Sequence, residues 1–559
     1  MNSVVQLTAW RLVQVSLMAA VAQSPLLGQK DIPWYVEQFV RAEFTSQVQR
    51  AHAIFDRLSA AADRSGSRYP EFAVLEGGDD PLAVALQGGG IVVNLRALQI
   101  CYKAESLEKG HDRLAFVLAH ELSHLVIGSF GAKFASADAL GQPDVEDEAD
   151  SHGLLIMTMA GFRPESILEG GQTLFQDWLA ARTPGLPDVA DSRAKAFQKQ
   201  LQSLSEKLPL FQMGVVLYSL GRYREALRLF GKFRQSFPSR EAFHNQALSQ
   251  FQIALRILAR CDGAWVVRYS LPVQADPWTL AQRSRPRGPS ADCLQSPQFD
   301  RAMKRAEELL QEALRRDSGY LSARIHLATL YVVNDRIHEA WSEAKKALDL
   351  EPGNPFAVNT QAVSGFLFGE EASRADFKQD ARTMLQGLLR KHPDFLPARF
   401  NLARMESLSG NPGSAKGHWK AYLKDAPSED EMAKAAAEQL GIELPDSKKP
   451  SARTHQSPLP LGIPDPALQA KLRRLNLLHR SGPVEIYGSD QMRVIRIGGS
   501  IEVVEVRVNP ETDKSSFKGL AMIQATSPSL EIRLEGQGQA LKVIGNRVQS
   551  RIFFRPPQP

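Results

Sequence analysis

Between His111 and Gly128, in HDRLAFVLAHELSHLVIG, Leu114, Leu118, Leu122 and Leu125 recur at three- and four-residue steps. This spacing predicts a helix with one apolar face and a stop at Gly128. PDVEDEADSHGLLIMTMAGF predicts a second helix, with Asp144 after Pro143 as its N-cap and Gly161 at its end. From about Leu208 the chain turns to short amphipathic helices with small residues and prolines at fixed intervals. Gly214, Ala226, Phe233 and Pro238 form one such unit, Ala328, Ala340, Ala347 and Pro352 a second, and Ala403, Ala415, Tyr422 and Pro427 a third. Ala306, Ala313 and Ser318, and Ala381, Leu388 and Pro393, match the latter part of the unit. Past Gly441 a stretch rich in Pro, Ser and Lys gives way to period-two alternation. QMRVIRIGGSIEVVEVRV reads as two strands around Gly498-Gly499, and SLEIRLEG and ALKVIG as further strands of a small antiparallel sheet. Its expected core stripes are Ile495 with Ile497, Val504 with Val506 and Val508, and Leu530 with Ile532 and Leu534.

Composition narrows the function classes. A chain of 559 residues exceeds one core, so about two to four domains are expected. The hydrophobic share of 43% and charged share of 23% are those of a globular protein. A net charge of +5, with no dense basic stripe interleaved with aromatics, argues against nucleic-acid binding. Arg11 followed by the apolar stretch Leu12 to Ala22 has the length of a signal-peptide core and is too short to span a bilayer. Ala20-Val21-Ala22 is the expected cleavage site, the alternative being an amphipathic helix that stays attached. Export would let Cys261 and Cys293 bridge the segment between them, which has no helical period; the alternative is two free thiols. Cys101 reads as a small buried hydrophobe.

The HELSH segment carries the chemistry. His120 and His124 stand one helical turn apart, so both imidazoles can reach one zinc ion, and Glu121 between them can face a metal-bound water as general base. The apolar flanks imply burial, where two histidines and a glutamate need partners. In the second helix Glu146 and Asp150 share a face, whereas Glu148 points nearly the opposite way. Glu146 is therefore the expected third ligand, and Asp150 is placed one turn along to hold a histidine ring by hydrogen bond.

HELSH, then ExxxD within EDEADSHG, then MAGFRP, resemble the gluzincin peptidases of family M48, which include HtpX, the CAAX prenyl proteases and BepA-like enzymes. DPLAVALQGGGIVVNLRAL is similar to that family's hairpin before the metal helix, whose edge strand binds the substrate backbone. The resemblance implies a turn at Gly88, Gly89 and Gly90, a strand at Ile91-Val92-Val93, and substrate binding at Gly90, Ile91 and Val92. One departure stands out. Family members commonly carry a His-Pro followed by an arginine; here TPGLPDVADSRAKAF keeps Arg193 without that histidine, and Pro187 and Asp188 occupy the region. Arg193 is then either an oxyanion stabiliser or part of a structural ion pair.

Ser318 and Pro352 stand thirty-four residues apart, the tetratricopeptide period. The expected fold class is thus α+β: a mainly helical zincin-type peptidase domain with a small hairpin, an α-solenoid of tetratricopeptide repeats, and a small antiparallel β domain. The expected boundaries are a signal peptide at 1–22, peptidase at 31–205, repeats at 206–440 with an insertion at 261–298, a linker at 441–470 and a β-rich domain at 471–559. The expected function is a periplasmic or secreted zinc endopeptidase holding one Zn2+ per chain, with unfolded or misassembled proteins as substrates. Protein partners in the repeat groove and peripheral membrane association complete the expectation. The alternative is a catalytically weak scaffold that binds proteins through its repeats.

Overall fold

The computed structural model describes residues 32–38, 40–63, 70–77, 82–86, 89–127, 143–168, 173–182, 187–261, 265–275, 279, 296–426, 431–444, 475–489, 492–497, 500–507, 521–524, 530–535, 539–544 and 547–554. The expected signal peptide, Gly88, Gly128, Cys293, Val508 and nearly all of the 441–470 linker lie outside them, as do the side chains of Asp144, Pro187, Asp188, Cys261, Leu530, Ile532 and Leu534. The proposed Cys261–Cys293 bridge therefore falls outside the described residues. Cys101 is a buried free thiol. No described helix is long and apolar enough to cross a membrane. The chain is α+β and forms two compact units, one of residues 1–62 with 67–201, the other of 63–66 with 202–559.

The first unit holds α1 (Ile32–Gln38), β1 (Val40–Arg41), α2 (Ser46–Ala61), β2 (Glu71–Glu76), β3 (Ala83–Leu86), β4 (Gly90–Asn94), α3 (Leu95–Cys101), α4 (Leu107–Ile127), α5 (Pro143–Met159) and α6 (Leu174–Arg182). Helix α4 carries HELSH and is described as far as Ile127, so the expected stop at Gly128 lies outside the described residues. Helix α5 begins at Pro143, so Asp144 lies inside its first turn and not at the cap. The sheet order is β1-β2-β4-β3, with β2 and β4 parallel and the other pairs antiparallel. This corrects one expectation. β3 and β4 do form the hairpin, with Gly89 at φ 88° in its turn, but β4 is paired on both sides. Gly90, Ile91 and Val92 thus have no free backbone edge to offer a substrate, and Ile91 and Val92 are core residues. The outer strand is β3, which packs against α4. Alternation told that a hairpin was present but not which of its arms a third strand would cover. Gly90 has its own reason to be glycine, since a Cβ there would sit 2.8 Å from the Ile32 side chain.

Helix α7 (Pro187–Ser219) contains Pro209, which has no N–H for the helical ladder, close to where the repeat texture begins. The second unit then stacks α8 (Tyr223–Arg234), α9 (Arg240–Cys261), α10 (Pro297–Arg316), α11 (Leu321–Val333), α12 (Ile337–Leu350), α13 (Pro355–Glu371), α14 (Ala375–Lys391), α15 (Leu396–Leu408), α16 (Pro412–Asp425) and α17 (Glu431–Leu440). The small residues sit where helices touch. Ala226, Ala306, Ala313, Ala328, Ala340, Ala347 and Ala403 are wholly buried, and a Cβ on Gly214 would meet the Phe230 ring at 2.7 Å.

The last element is an antiparallel sheet of eight strands: β5 (Asn476–Ser481), β6 (Val484–Gly488), β7 (Met492–Ile497), β8 (Ser500–Arg507), β9 (Ala521–Gln524), β10 (Leu530–Glu535), β11 (Gln539–Ile544) and β12 (Arg547–Phe554). Their order is β5-β6-β7-β8-β12-β11-β10-β9. Met492, Val494 and Val504 pack as one cluster, with Val506 against it. Ile495 is buried beside Val494, and the β7–β8 register shifts between Ile495 and Arg496. Ile497, past that shift, is only partly buried.

Candidate metal centre

Two helices in backbone contact build the centre. A Cβ on Gly153 would lie 2.9 Å from the His120 nitrogen and 3.0 Å from its Cα, so only glycine lets α5 come this close to α4. That approach brings Glu146 and Asp150, one turn apart on α5, to the histidines of α4. His120, Glu121 and His124 are fully buried, and Glu146 and Asp150 nearly so, while Glu148 is exposed. The periodicity placed these carboxylates on one face; the glycine that sets the helix spacing was visible in DSHG without its role being evident.

His120 Nε2 stands 3.0 Å from His124 Nε2, with the ring planes at 83°. Glu146 approaches both, at 3.3 Å from His120 Nε2 and 3.6 Å from His124 Nε2, yet neither of its oxygens accepts a hydrogen bond. One donor atom each from His120, His124 and Glu146 lies within 4.8 Å of the others, a set that can hold a metal ion. On the far side of the first ring, His120 Nδ1 lies 2.7 Å from Asp150 Oδ1. Arg193 forks onto Asp150, its Nε donating to Oδ2 at 2.9 Å and its Nη2 to Oδ1 at 2.7 Å. The same Nη2 is 3.4 Å from Glu146. Phe116, Phe175 and Phe197 wall this cluster, with the Arg193 guanidinium 5.4 Å above the Phe175 ring. Helix α4 is further anchored by Arg113 on Asp177 at 2.9 Å and by Asp112, which accepts from the Arg163 N–H and the Ser166 hydroxyl. No local pattern singles out those anchors, because each pairs with a residue more than fifty positions away.

The electrostatics are asymmetric. Burial alone favours neutral imidazole, but at His120 the pull of Asp150 and Glu146 outweighs it and pushes the ring up to about 9. At His124 burial dominates, reinforced by the charge on His120, and brings it down to about 4. Burial would raise Asp150, yet Arg193 and His120 hold it down to about 2. Glu146 is likewise held below its ordinary value, the histidines and Arg193 prevailing over burial. Two ionised carboxylates around two imidazoles make a place that favours one added positive charge.

Residues 45–140 match the family described as Peptidase family M48, and residues 210–239 match a tetratricopeptide repeat. The first match takes in His120, Glu121 and His124 and stops short of Glu146. No curated protein matches the chain. Among solved structures, a thermophilic tetratricopeptide protein of Thermus thermophilus, TTC0263, is 20% identical, covering 42% of this chain and 100% of that one with a TM-score of 0.30. YrrB, titled a tetratricopeptide protein with an unusual peptide-binding site, is 14% identical over 44% of this chain and 98% of its own, TM-score 0.27. Pseudomonas aeruginosa pilF is 12% identical over 42% and 90%, TM-score 0.28. Scores this low say nothing about what this chain does. The two family matches and the helix pairs do say how it is built: the chain joins a segment that matches peptidase family M48 to a stack of helix pairs that begins with a matched tetratricopeptide repeat.

Proposed function

We propose that residues 31–205 form a zinc-dependent endopeptidase, exported behind a signal peptide to the cell envelope, which cleaves unfolded or misassembled proteins. The observation that carries this reading is the convergence of His120, His124 and Glu146 within 4.8 Å in a buried site whose first imidazole is fixed from behind by Asp150. Two histidines and a carboxylate suit zinc, and ligation there would take the place of the proton that His120 otherwise holds. Bound zinc supplies Lewis-acid polarisation of the scissile carbonyl and acidifies a water.

The chain's own residues do the rest. Asp150 fixes the His120 tautomer with the proton on Nδ1, leaving Nε2 as a donor of electrons toward Glu146 and His124. Arg193 keeps Asp150 ionised and is a positioning residue in this reading, its fork being engaged by that carboxylate. Glu121 takes the proton from the attacking water and returns it to the leaving amine.

The test is zinc content together with cleavage of casein, for the purified chain and for Glu121→Gln. Metal in both, with proteolysis only in the parent and abolished by a chelator, is the expected result. Zinc in both with cleavage by neither would assign the scaffold role, in which the repeats alone act.

A further inference from the structure

Within the second unit, β5 packs against α8, and Arg493 of β7 donates to Gln212 of α7, so the first strands of the β domain and the start of the repeats form one surface. Lys207 of α7 and Arg228 and Lys232 of α8 stand there beside His479 of β5. We propose that this junction is a binding site for phosphate groups, presented by the headgroups of an anionic lipid surface.

Unanswered charge is the first ground. Arg228 and Lys232 are four residues apart on α8, hence on one face, and both are exposed. Among the described residues neither they nor Lys207 pairs with a carboxylate, whereas Arg480, next to His479, is already engaged by Glu485 at 2.7 Å. Burial foremost, then the charges of Lys207 and Lys232, hold the His479 imidazole below its ordinary value. Like charges gathered without a carboxylate make a field that a bound anion relieves.

The second ground is His479 itself. Its Nε2 is buried and has no hydrogen-bond partner, although most of the strand around it is exposed. With its proton on Nε2 the ring offers a donor, set in the field of two ammonium groups, for an acceptor of negative charge. A phosphate group can accept from ammonium, guanidinium and imidazole at once, where a carboxylate has only two oxygens to share. The turn after β5 reaches Arg228 only because it holds a glycine: Gly482 has φ 57°, and a Cβ there would lie 2.9 Å from Arg228 Nη1.

Leu477 and Leu478 point to the source of the phosphate. The β5–β6 register shifts between Leu477 and His479, and both leucines are exposed immediately before the imidazole. Apolar side chains beside a cationic cluster suit a bilayer boundary, where phosphates lie just above acyl chains, and do nothing for a free phosphate ion.

Sedimentation of the full chain with vesicles of phosphatidylglycerol and phosphatidylcholine, against phosphatidylcholine alone, tests this. The native protein should bind the anionic vesicles, and Lys207→Gln, Arg228→Gln and Lys232→Gln together should weaken that binding by at least about tenfold. Removing equal charge from exposed lysines of α16, with Lys416→Gln, Lys420→Gln and Lys424→Gln, should cost less than about threefold, which separates the site from the chain's general positive charge. Leu477→Ser with Leu478→Ser should weaken vesicle binding and leave the binding of inorganic phosphate, read by calorimetry, unchanged. Phosphate binding that the first triple variant loses, with no vesicle binding by any protein, overturns the lipid source and keeps the phosphate site. Equal weakening by the two triple variants, or binding of neither ligand, overturns the proposal. Should the first variant fail to fold, the native chain decides through the His479 ring resonance, identified by its loss in His479→Gln. That resonance should shift with inorganic phosphate and not with chloride at the same ionic strength; no difference between the two salts sinks the site. None of these readouts is proteolysis, so a failure of the peptidase reading leaves them untouched.

Discussion

Among the described residues two pairs of histidines touch, one in each unit, and their surroundings differ. His120 and His124 meet Nε2 to Nε2 at 3.0 Å with Glu146 and Asp150 around them. His244 and His326 meet at 2.7 Å with parallel rings, beside the Tyr320 hydroxyl at 3.4 Å and within the field of Arg240. Carboxylates push the first pair toward holding a cation, raising His120. Burial and a neighbouring guanidinium keep the second pair neutral, with His244 well below its ordinary value and His326 brought down to about 4 by burial. Two imidazoles in contact are therefore no metal site by themselves; the ionised oxygen that completes the donor set decides.

The comparison breaks most visibly in catalysis. Glu121→Gln should lower casein cleavage by roughly 10²- to 10⁴-fold, the range for a general base, with zinc content unchanged. His244→Gln should leave zinc content and cleavage where they are. Loss of metal from the His244 variant would sink the distinction between the pairs.

Next in size is a pH effect confined to the second pair. An unfolded chain takes up protons on these histidines as pH falls through about 6.5, but the folded repeats resist until about pH 4 at His326. Protons then bind the unfolded state preferentially, so stability falls with decreasing pH across that window and is flat above it. A shift of this size is worth at most about 3 kcal/mol, less to the extent that the partly exposed His326 ring is screened. Urea unfolding of native and His326→Gln chains at pH 7 and pH 4.5 should show a shallower decline in the variant. Parallel declines would mean that other groups carry the acid sensitivity.

A third test sharpens the first pair alone. Asp150→Asn keeps shape while removing the charge behind His120, and should weaken zinc binding by roughly 10- to 100-fold in competition with a chelator. Arg193→Lys, which cannot reproduce the fork, should give a smaller loss in the same direction. Equal zinc affinity in all three proteins would show that the orienting contacts do nothing for the ligands.

How much of this could be read beforehand follows from the range of the interactions. HELSH and the Glu146–Asp150 pair are local, set by helical periodicity, and so were legible, as were the alanines at repeat contacts. The position of β4 inside the sheet was not, because it depends on pairing with β2, whose approach no local alternation reports. Nor was the lodging of Trp265–Ala275 against α13 and α15. Its lack of helical period read as a loose insertion, and the asparagines that hold it, Asn359 and Asn401, lie 89 and 131 residues away.

Those asparagines give the smallest effects and the finest contrast with the metal centre. There His120, His124 and Glu146 present a donor atom each that one metal ion could share; at Ser270 both main-chain polar groups are already met from within, by Asn401. Asn401→Ala strands the buried Ser270 N–H and should destabilise the repeats by about 1 to 3 kcal/mol. Asn359→Ala leaves the Ser270 carbonyl still bonded to Asn401 and should cost only about 1 kcal/mol. Because the two substitutions remove the same atoms, cavity terms are similar, and the difference isolates the orphaned donor. Equal losses in urea unfolding would assign the clasp to packing, whereas the expected gap would mark Asn401 as the residue that holds the backbone.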